Sequence, residues 1–416
     1  MAQPEKTILD EPVEGFDIEN LFMSRTDERG VILSGNETFK FLSGYDWGTL
    51  IGAPHKLIRH PDMPKAAFWL LWDALKKGEP FGAYVKNLSA SGRYYWVFAA
   101  AVPVTDGYLS VRLKPTSPLL ETVQGLYATL LKAEVEDGAT PEAGAAVVQD
   151  TVKSLGFRNY HAFMGYALGV EITARCNAIG QTVDPGIAEF EAIGQLLADL
   201  SEEVQGVQAL YATIANSPVN LNILGSRLTS GREPIQVVAQ NYGMLASELM
   251  QIIAELEDAL ENLLDQAYLG RTGHCASLLY AEAIGKFETD EANRGTRGHT
   301  AEVAILKRAL AGFQDTAQQG CEQIAMEVTR FTAITVRLKR MLSGLALTRV
   351  VCRIESASVA EDTSSIDEIA ARLMNFQTEL GVSLEKMASM CGAMASKIPG
   401  RPTPPEKREL PEKVES

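Results

Sequence analysis

Residues 54–64 read PHKLIRHPDMP and run directly into AAFWLLWDAL. Three prolines make the turn rigid, and His55, Arg59, His60 and Asp62 give it chemistry. The planar Arg59 guanidinium suits a pyrophosphate or a ring carbonyl, because it offers a fork of donors at fixed angles. Asp62 can accept from a ribose-type donor, or cap a helix that starts near Pro64. The histidines could ligate a haem iron. Trp69 and Trp72 stand three apart on the following helix and therefore share a face, with core packing expected of at least one. Downstream, Asn87 presents both a donor and an acceptor, which suits the edge of a heteroaromatic ring. A surface loop has no need of this combination, whereas a small-molecule pocket walled by a helix does.

Catalytic alternatives fail on missing residues. No HExxH, Walker A, GGDEF or EAL signature is present, and His161, in YHAFMGY, is not followed by the glycine-rich ATP lid of a sensor histidine kinase. His274, Cys275 and His299 stand alone beside glycines and read as solvated loop residues. The expectation is a protein that is not an enzyme.

The elements that position these residues change character near residue 116. Before it, FMSRT and VILSG flank DERG as a hairpin, and YVKNLS, YYWVFAAAVPV and YLSVRLKP read as three more strands. Short helices are expected at NETFKFLSGY, at WGTLIG and over Lys65–Lys77, stopped by Gly78. Two strands, small helices and three strands make an α+β domain of about 100 residues. After residue 116 the chain is helical. Val238, Tyr242, Leu245, Leu249, Ile252, Leu256, Ala259 and Leu263 recur every three or four residues, as do Ile366, Ile369, Leu373, Phe376, Leu380, Leu384 and Met387. Such seams require partner helices, in the same chain or across a homodimer. Two segments with related patterns suggest helical hairpins near 220–235 and 344–365 and a duplication. The expected division is a 1–17 N-terminal segment, an 18–116 sensor domain, a 117–397 helical dimerisation and signalling region, and a proline-rich, disordered 398–416 tail.

Composition limits the partners. The net charge of −15 over 416 residues lacks the basic footprint that nucleic acid or anionic lipid requires. No run approaches a membrane span, and the acidic start is no signal peptide, so a cytoplasmic protein is expected. The five cysteines form no CxxC pair and read as reduced thiols.

Residues 18–116 resemble a PAS sensor domain, with a five-stranded antiparallel sheet and short helices, and within that class the flavin-binding PAS domain of bacterial aerotaxis receptors. The resemblance is carried by SRTDERGVILSGNETF, by SGYDWGTLIGAPHKLIRHPDMPKAAFWLLWDALKKGEPF, by VKNLSASGRYYWV and by GYLSVRLKP. It implies FAD held non-covalently between the central helices and the sheet. Matched position by position, it implies contacts from Arg59, His60, Asp62 and Asn87, with Trp72 and Phe81 as aromatic neighbours. One departure is Phe81, where these receptors usually carry tryptophan in GEPW; phenylalanine keeps a stacking face and loses the indole N–H. A haem-binding PAS domain and a cofactor-free, protein-binding one are the alternatives.

The helical region faintly resembles the hairpin tip of a methyl-accepting chemoreceptor signalling domain, at Leu221–Asn222, Ser230–Gly231, Val237–Ala239 and Leu245–Ala246. Ser226, Thr229, Asn241 and Gly243 replace the charged residues expected there. The reading is a degenerate domain whose signalling partner, a receptor array or another regulator, is reached without the usual kinase contact.

Overall fold

The computed structural model describes residues 7–227, 232–289, 299–357 and 364–400. Two compact units divide the chain: residues 1–187 with 268–320, and residues 188–267 with 321–416.

In the first unit, strands β1 (Leu21–Thr26), β2 (Ile32–Gly35), β3 (Phe81–Leu88), β4 (Tyr94–Val104) and β5 (Gly107–Leu113) form one antiparallel sheet in the order β2-β1-β5-β4-β3. Between β2 and β3 lie the expected short helices α1 (Glu37–Ser43), α2 (Trp47–Leu50) and α3 (Lys65–Lys76), with a 3₁₀ turn at His55–Ile58. Gly107 opens the central strand with φ 144°, and a Cβ there would stand 2.0 Å from the Thr26 carbonyl, so only glycine admits β1 this closely.

Strand alternation gives the sheet two different faces. On β5, Tyr108, Ser110 and Arg112 point one way, and the fully buried Leu109, Val111 and Leu113 point the other. The Leu109 face is covered by α4 (Leu119–Glu136), α5 (Pro141–Ser154), α6 (Tyr160–Ala178) and parts of α9 (Arg232–Thr289) and α10 (His299–Ala357). Most of its polar groups are paired, Ser34 Oγ being an exception. Tyr127, Tyr160 and Tyr280 donate to the carbonyls of Tyr84, Gly82 and Ala100 at 2.9, 3.0 and 3.1 Å. Arg25 forms a bidentate pair with Glu302, its shortest N–O distance being 2.6 Å. Buried Glu171 accepts from Tyr84 Oη (2.8 Å), the Thr116 and Ser117 amides (2.7 and 3.1 Å) and Ser117 Oγ (2.5 Å), which ties β3 and the β5–α4 junction to α6.

Three expectations are corrected here. His274 and Cys275 lie inside α9, not in a loop: His274 contacts Asp184 at 2.8 Å, and Cys275 is fully buried, its thiol pushed up to about 12 by desolvation. The neighbouring glycine misled the reading. Gly273 serves a close helix crossing, because a Cβ there would meet the Ala317 amide nitrogen at 2.7 Å and the Phe313 carbonyl at 2.9 Å. His299 is likewise helical, opening α10 with its ring against Phe287 at 4.8 Å.

In the second unit, α7 (Pro185–Ile214), α9, α10 and α11 (Ser364–Lys397) share one apolar core, with α8 (Ser217–Arg227) contributing Leu221. Every seam residue anticipated on α11 is buried, and so is the α9 seam apart from half-buried Leu245. Both seams are satisfied inside the chain. The expected hairpin positions near 220–235 and 344–365 include residues 228–231 and 358–363, and the expected tail includes 401–416; these lie outside the described residues. Cys176, Cys275, Cys321 and Cys391 are free thiols. No described helix is long and apolar enough to cross a membrane.

Candidate functional site

The face of the sheet opposite the paired one closes over a cavity of about 360 Å³, walled by α3 and by the turn that precedes it. This volume falls within the ~300–1,000 Å³ typical of small-molecule sites. Small residues make the room. Ala83, Ala99 and Ala101 floor it, while Phe68, Trp72 and Tyr108 form an aromatic wall, Trp72 packing edge-on to Tyr108 at 5.4 Å.

Four of the six residues singled out in the sequence meet in this cavity: Arg59, Trp72, Phe81 and Asn87. An isolated antiparallel bridge between Arg59 and Asn87 holds the two polar ones together, joining the 3₁₀ turn to β3. The Arg59 guanidinium lies over the Phe68 ring, 3.4 Å from its centroid, and has no carboxylate partner among the described residues. Partial desolvation of the guanidinium against the lining lowers its pKa, although the residue as a whole is exposed. Phe81 is buried and stacks on Tyr160 at 5.2 Å. Trp69, on the same helix as Trp72, is 36 % exposed and outside the lining.

His60 and Asp62 are absent from the cavity wall. Asp62 pairs with Lys86 at 2.7 Å, and its amide donates to His60 Nδ1 at 3.1 Å. His60 is buried, edge-on to Tyr94, and its pKa is lowered by desolvation and by the nearby Lys86 ammonium. Asp62 does not cap α3 either, since that cap comes from α4: Glu134 accepts from the Lys65 and Ala66 amides at 3.1 and 3.2 Å. A carboxylate at a helix start also meets its positive dipole end.

Sequence reasoning missed the cavity's second polar cluster. Arg112 on β5 is 8 % exposed and donates to Ser24 Oγ at 2.7 Å. Its Nη2 lies 3.2 Å from His55 Nε2, which also stands 3.2 Å from Ser24 Oγ. Because arginine only donates, Nε2 must accept, so the imidazole is neutral with its proton on Nδ1. Burial, with the Arg112 and Arg59 charges, pushes the His55 pKa down to about 3. The ring keeps some surface open to the cavity, and water there would moderate that shift. Arg112 itself is lowered to about 10 by burial. The available signal was alternation: an arginine in phase with Tyr108 and Ser110, on a strand whose other face is wholly apolar.

The electrostatics are one-sided. Arg29, Lys56, Arg59 and Arg112 line the cavity, and no Asp or Glu among the described residues does, although Arg29 pairs with Asp27 beside it at 3.2 Å. Two further polar groups have no partner among the described residues: Asn87 Nδ2 and Ser110 Oγ are buried in the lining without a hydrogen bond. Buried polar groups are rarely left so, and each marks a place for a ligand atom. The arrangement fits a planar aromatic ligand rich in acceptors, and a flavin meets that description with its ring carbonyls and nitrogens. A haem iron finds less, because neutral His55 commits Nε2 to Arg112 and His60 lies outside the wall.

Residues 32–110 match the family model for the PAS fold. A stretch of 113 residues is 46 % identical to the aerotaxis receptor of Escherichia coli, covering 26 % of this chain and 22 % of that protein. A stretch of 82 residues is 32 % identical to the biofilm dispersion protein BdlA of Pseudomonas aeruginosa, covering 20 % of each. The chain thus spans about a fifth of the length of these relatives. Among solved structures, the Rhodobacter sphaeroides LOV protein is similar at 18 % identity and a TM-score of 0.22, over 35 % of this chain and 94 % of that one. The five-stranded sheet with its short helices is a PAS domain, homologous to a segment of the aerotaxis receptor and followed by long helices.

Proposed function

We propose that the PAS domain binds a flavin, FAD by the resemblance to aerotaxis receptors, and that the protein is a redox or oxygen sensor rather than an enzyme. The observation that carries this reading is the cavity lining: Arg59 and Arg112, with no carboxylate partner among the described residues, beside the unsatisfied Asn87 amide and Ser110 hydroxyl. A bound flavin would supply reversible electron transfer. Arg59 and Asn87 hold the ligand from the turn and β3, and Phe81 and Trp72 exclude water from it. Ser110 and Arg112 address it from β5.

The sensor output follows the same strand. β5 leads through Thr116 and Ser117 into α4, and Glu171 grips that junction. Any change in what Ser110 and Arg112 bind therefore acts on a strand whose far end is anchored to α4 and α6. This is a two-state element of the kind a ligand can bias.

The downstream partner is a signalling protein. It is not reached through the standard chemoreceptor tip contact, because Ser226, Asn241 and Gly243 carry no charge and Thr229, outside the described residues, carries none either. We place the protein in the cytoplasm and propose a homodimer. With both seams satisfied in the chain, self-association rests on exposed apolar side chains such as Met244 (66 %), Leu347 (66 %) and Ile354 (62 %). Light scattering at micromolar concentration is expected to give twice the monomer mass, and a monomer would refute this.

Arg59→Ala and Asn87→Ala should each fold normally but purify largely colourless, as measured by absorbance after purification in excess FAD. Full flavin content in both variants would defeat the assignment.

A further inference from the structure

Arg112 is costly to keep. A guanidinium that is 8 % exposed, with pKa lowered by burial, ordinarily has a carboxylate beside it. On this sheet Arg25 has Glu302, and on its covering helices Arg175 has Glu282 at 2.6 Å, while Arg271, 7 % exposed, lies over the Tyr166 ring at 4.8 Å, away from the cavity. The partners of Arg112 are Ser24 Oγ and the neutral His55 ring, and its guanidinium lies 4.7 Å from the Phe22 ring centroid. These contacts fix its direction without neutralising its charge. Unpartnered Ser110 Oγ lies one strand period away on the same face.

We infer that Arg112, oriented by Ser24 and His55, is the sheet-side specificity determinant of the cavity, and that it selects ligands presenting an electron-rich acceptor edge, such as the carbonyl edge of an isoalloxazine ring. This rests on the flavin reading for its example and on the cavity's own polarity for its direction. The missing acceptor is then supplied by the ligand, so the site is incomplete without one. Arg59 stands nearer the exterior, exposed at the cavity mouth, and is suited to phosphates. The two arginines therefore read different parts of one molecule.

The test separates them. Apo-protein of the full chain, as wild type, Arg112→Met, Arg112→Lys and Arg59→Ala, is titrated with riboflavin and with FAD by flavin fluorescence, and thermal unfolding of each apo form is recorded. A lost charge-assisted hydrogen bond corresponds to roughly 10- to 150-fold in affinity. Arg112→Met should lose that much for riboflavin and FAD alike, because it acts on the ring. Arg112→Lys should recover part of the loss, and Arg59→Ala should weaken FAD more than riboflavin. Because the methionine variant removes a desolvated charge with no counter-ion, its apo melting temperature should equal or exceed that of wild type. A structural role predicts the opposite pattern, with melting lowered and flavin affinity unchanged, and would overturn the inference. Should wild type bind neither flavin, the flavin reading falls while the melting comparison still decides: an unchanged or raised temperature supports an unneutralised ligand-directed charge, and a lowered one refutes it.

Discussion

The two faces of the PAS sheet are built from the same strands and obey opposite rules. On the helix-covered face large apolar side chains fill the space, and the polar groups are closed off in pairs: Tyr84 with Glu171, Arg25 with Glu302, and three tyrosine hydroxyls on strand carbonyls. On the cavity face the side chains shrink to alanine and serine, and among the described residues Arg59 and Arg112 find no counter-charge and Asn87 Nδ2 and Ser110 Oγ no hydrogen bond. Near-complete satisfaction, with Ser34 Oγ beside Arg25 and Arg271 Nε on α9 as exceptions, marks the face that holds the domain together. Incomplete satisfaction marks the face that receives something. Substitutions should accordingly damage stability on the first face and ligand uptake on the second.

The largest effect is expected at Glu171. Glu171→Leu would leave the Tyr84 and Ser117 hydroxyls and the Thr116 and Ser117 amides without their acceptor, at a cost of about 3–5 kcal/mol. All four tryptophans, Trp47, Trp69, Trp72 and Trp96, precede residue 116, so chemical denaturation of apo-protein followed by their fluorescence reports on this unit. A loss under 1 kcal/mol would show that the covered face is not what stabilises the sheet.

Next comes Arg25→Met, the counterpart of Arg112→Met on the opposite face. It strands the Glu302 carboxylate, which is only 8 % exposed, and should lower stability by about 2–3 kcal/mol in the same assay. Equal stability changes for the two arginine variants would erase the contrast between the faces. Ala101→Leu tests the cavity face without touching charge. The added carbons occupy the cavity floor and should lower flavin affinity at least tenfold, about 1.4 kcal/mol, with apo stability unchanged or slightly raised.

The smallest effect at neutral pH is that of His55, which shows only as a pH dependence on the acid side. Its folded pKa of about 3 lies below the unfolded value near 6.5, so between these values the unfolded chain binds a proton that the folded one excludes. Its contribution is complete above pH ~6.5 and declines as pH falls toward 3, by at most about 1.4 kcal/mol per pH unit. His60, also lowered, adds in the same direction. His55→Gln should flatten melting temperature against pH in this window, and an unchanged slope would show that His55 is not the group responsible.

The succession of strands and short helices along the chain and both helical seams were legible because each is a local pattern of period two or 3.6. Arg59 and Asn87 were legible by chemistry, although the bridge that joins them was not. The covered face was illegible for a different reason. Arg25 and Glu302 are 277 positions apart, and Tyr280 and Ala100 are 180 apart, so no local pattern connects them. Gly273 misled because a glycine at a close helix crossing looks in sequence like a glycine at a turn. Asp62 looked like a helix cap, and the cap came instead from Glu134, in a helix not yet reached when α3 is read.

Whether the unsatisfied face receives a flavin is decided by the visible spectrum of the purified full chain, taken with mass spectrometry of what denaturation releases. The expected result is the two-banded absorption of oxidised flavin and release of FAD at close to one per chain. A Soret band, or a colourless protein that stays colourless after incubation with excess FAD, would contradict it.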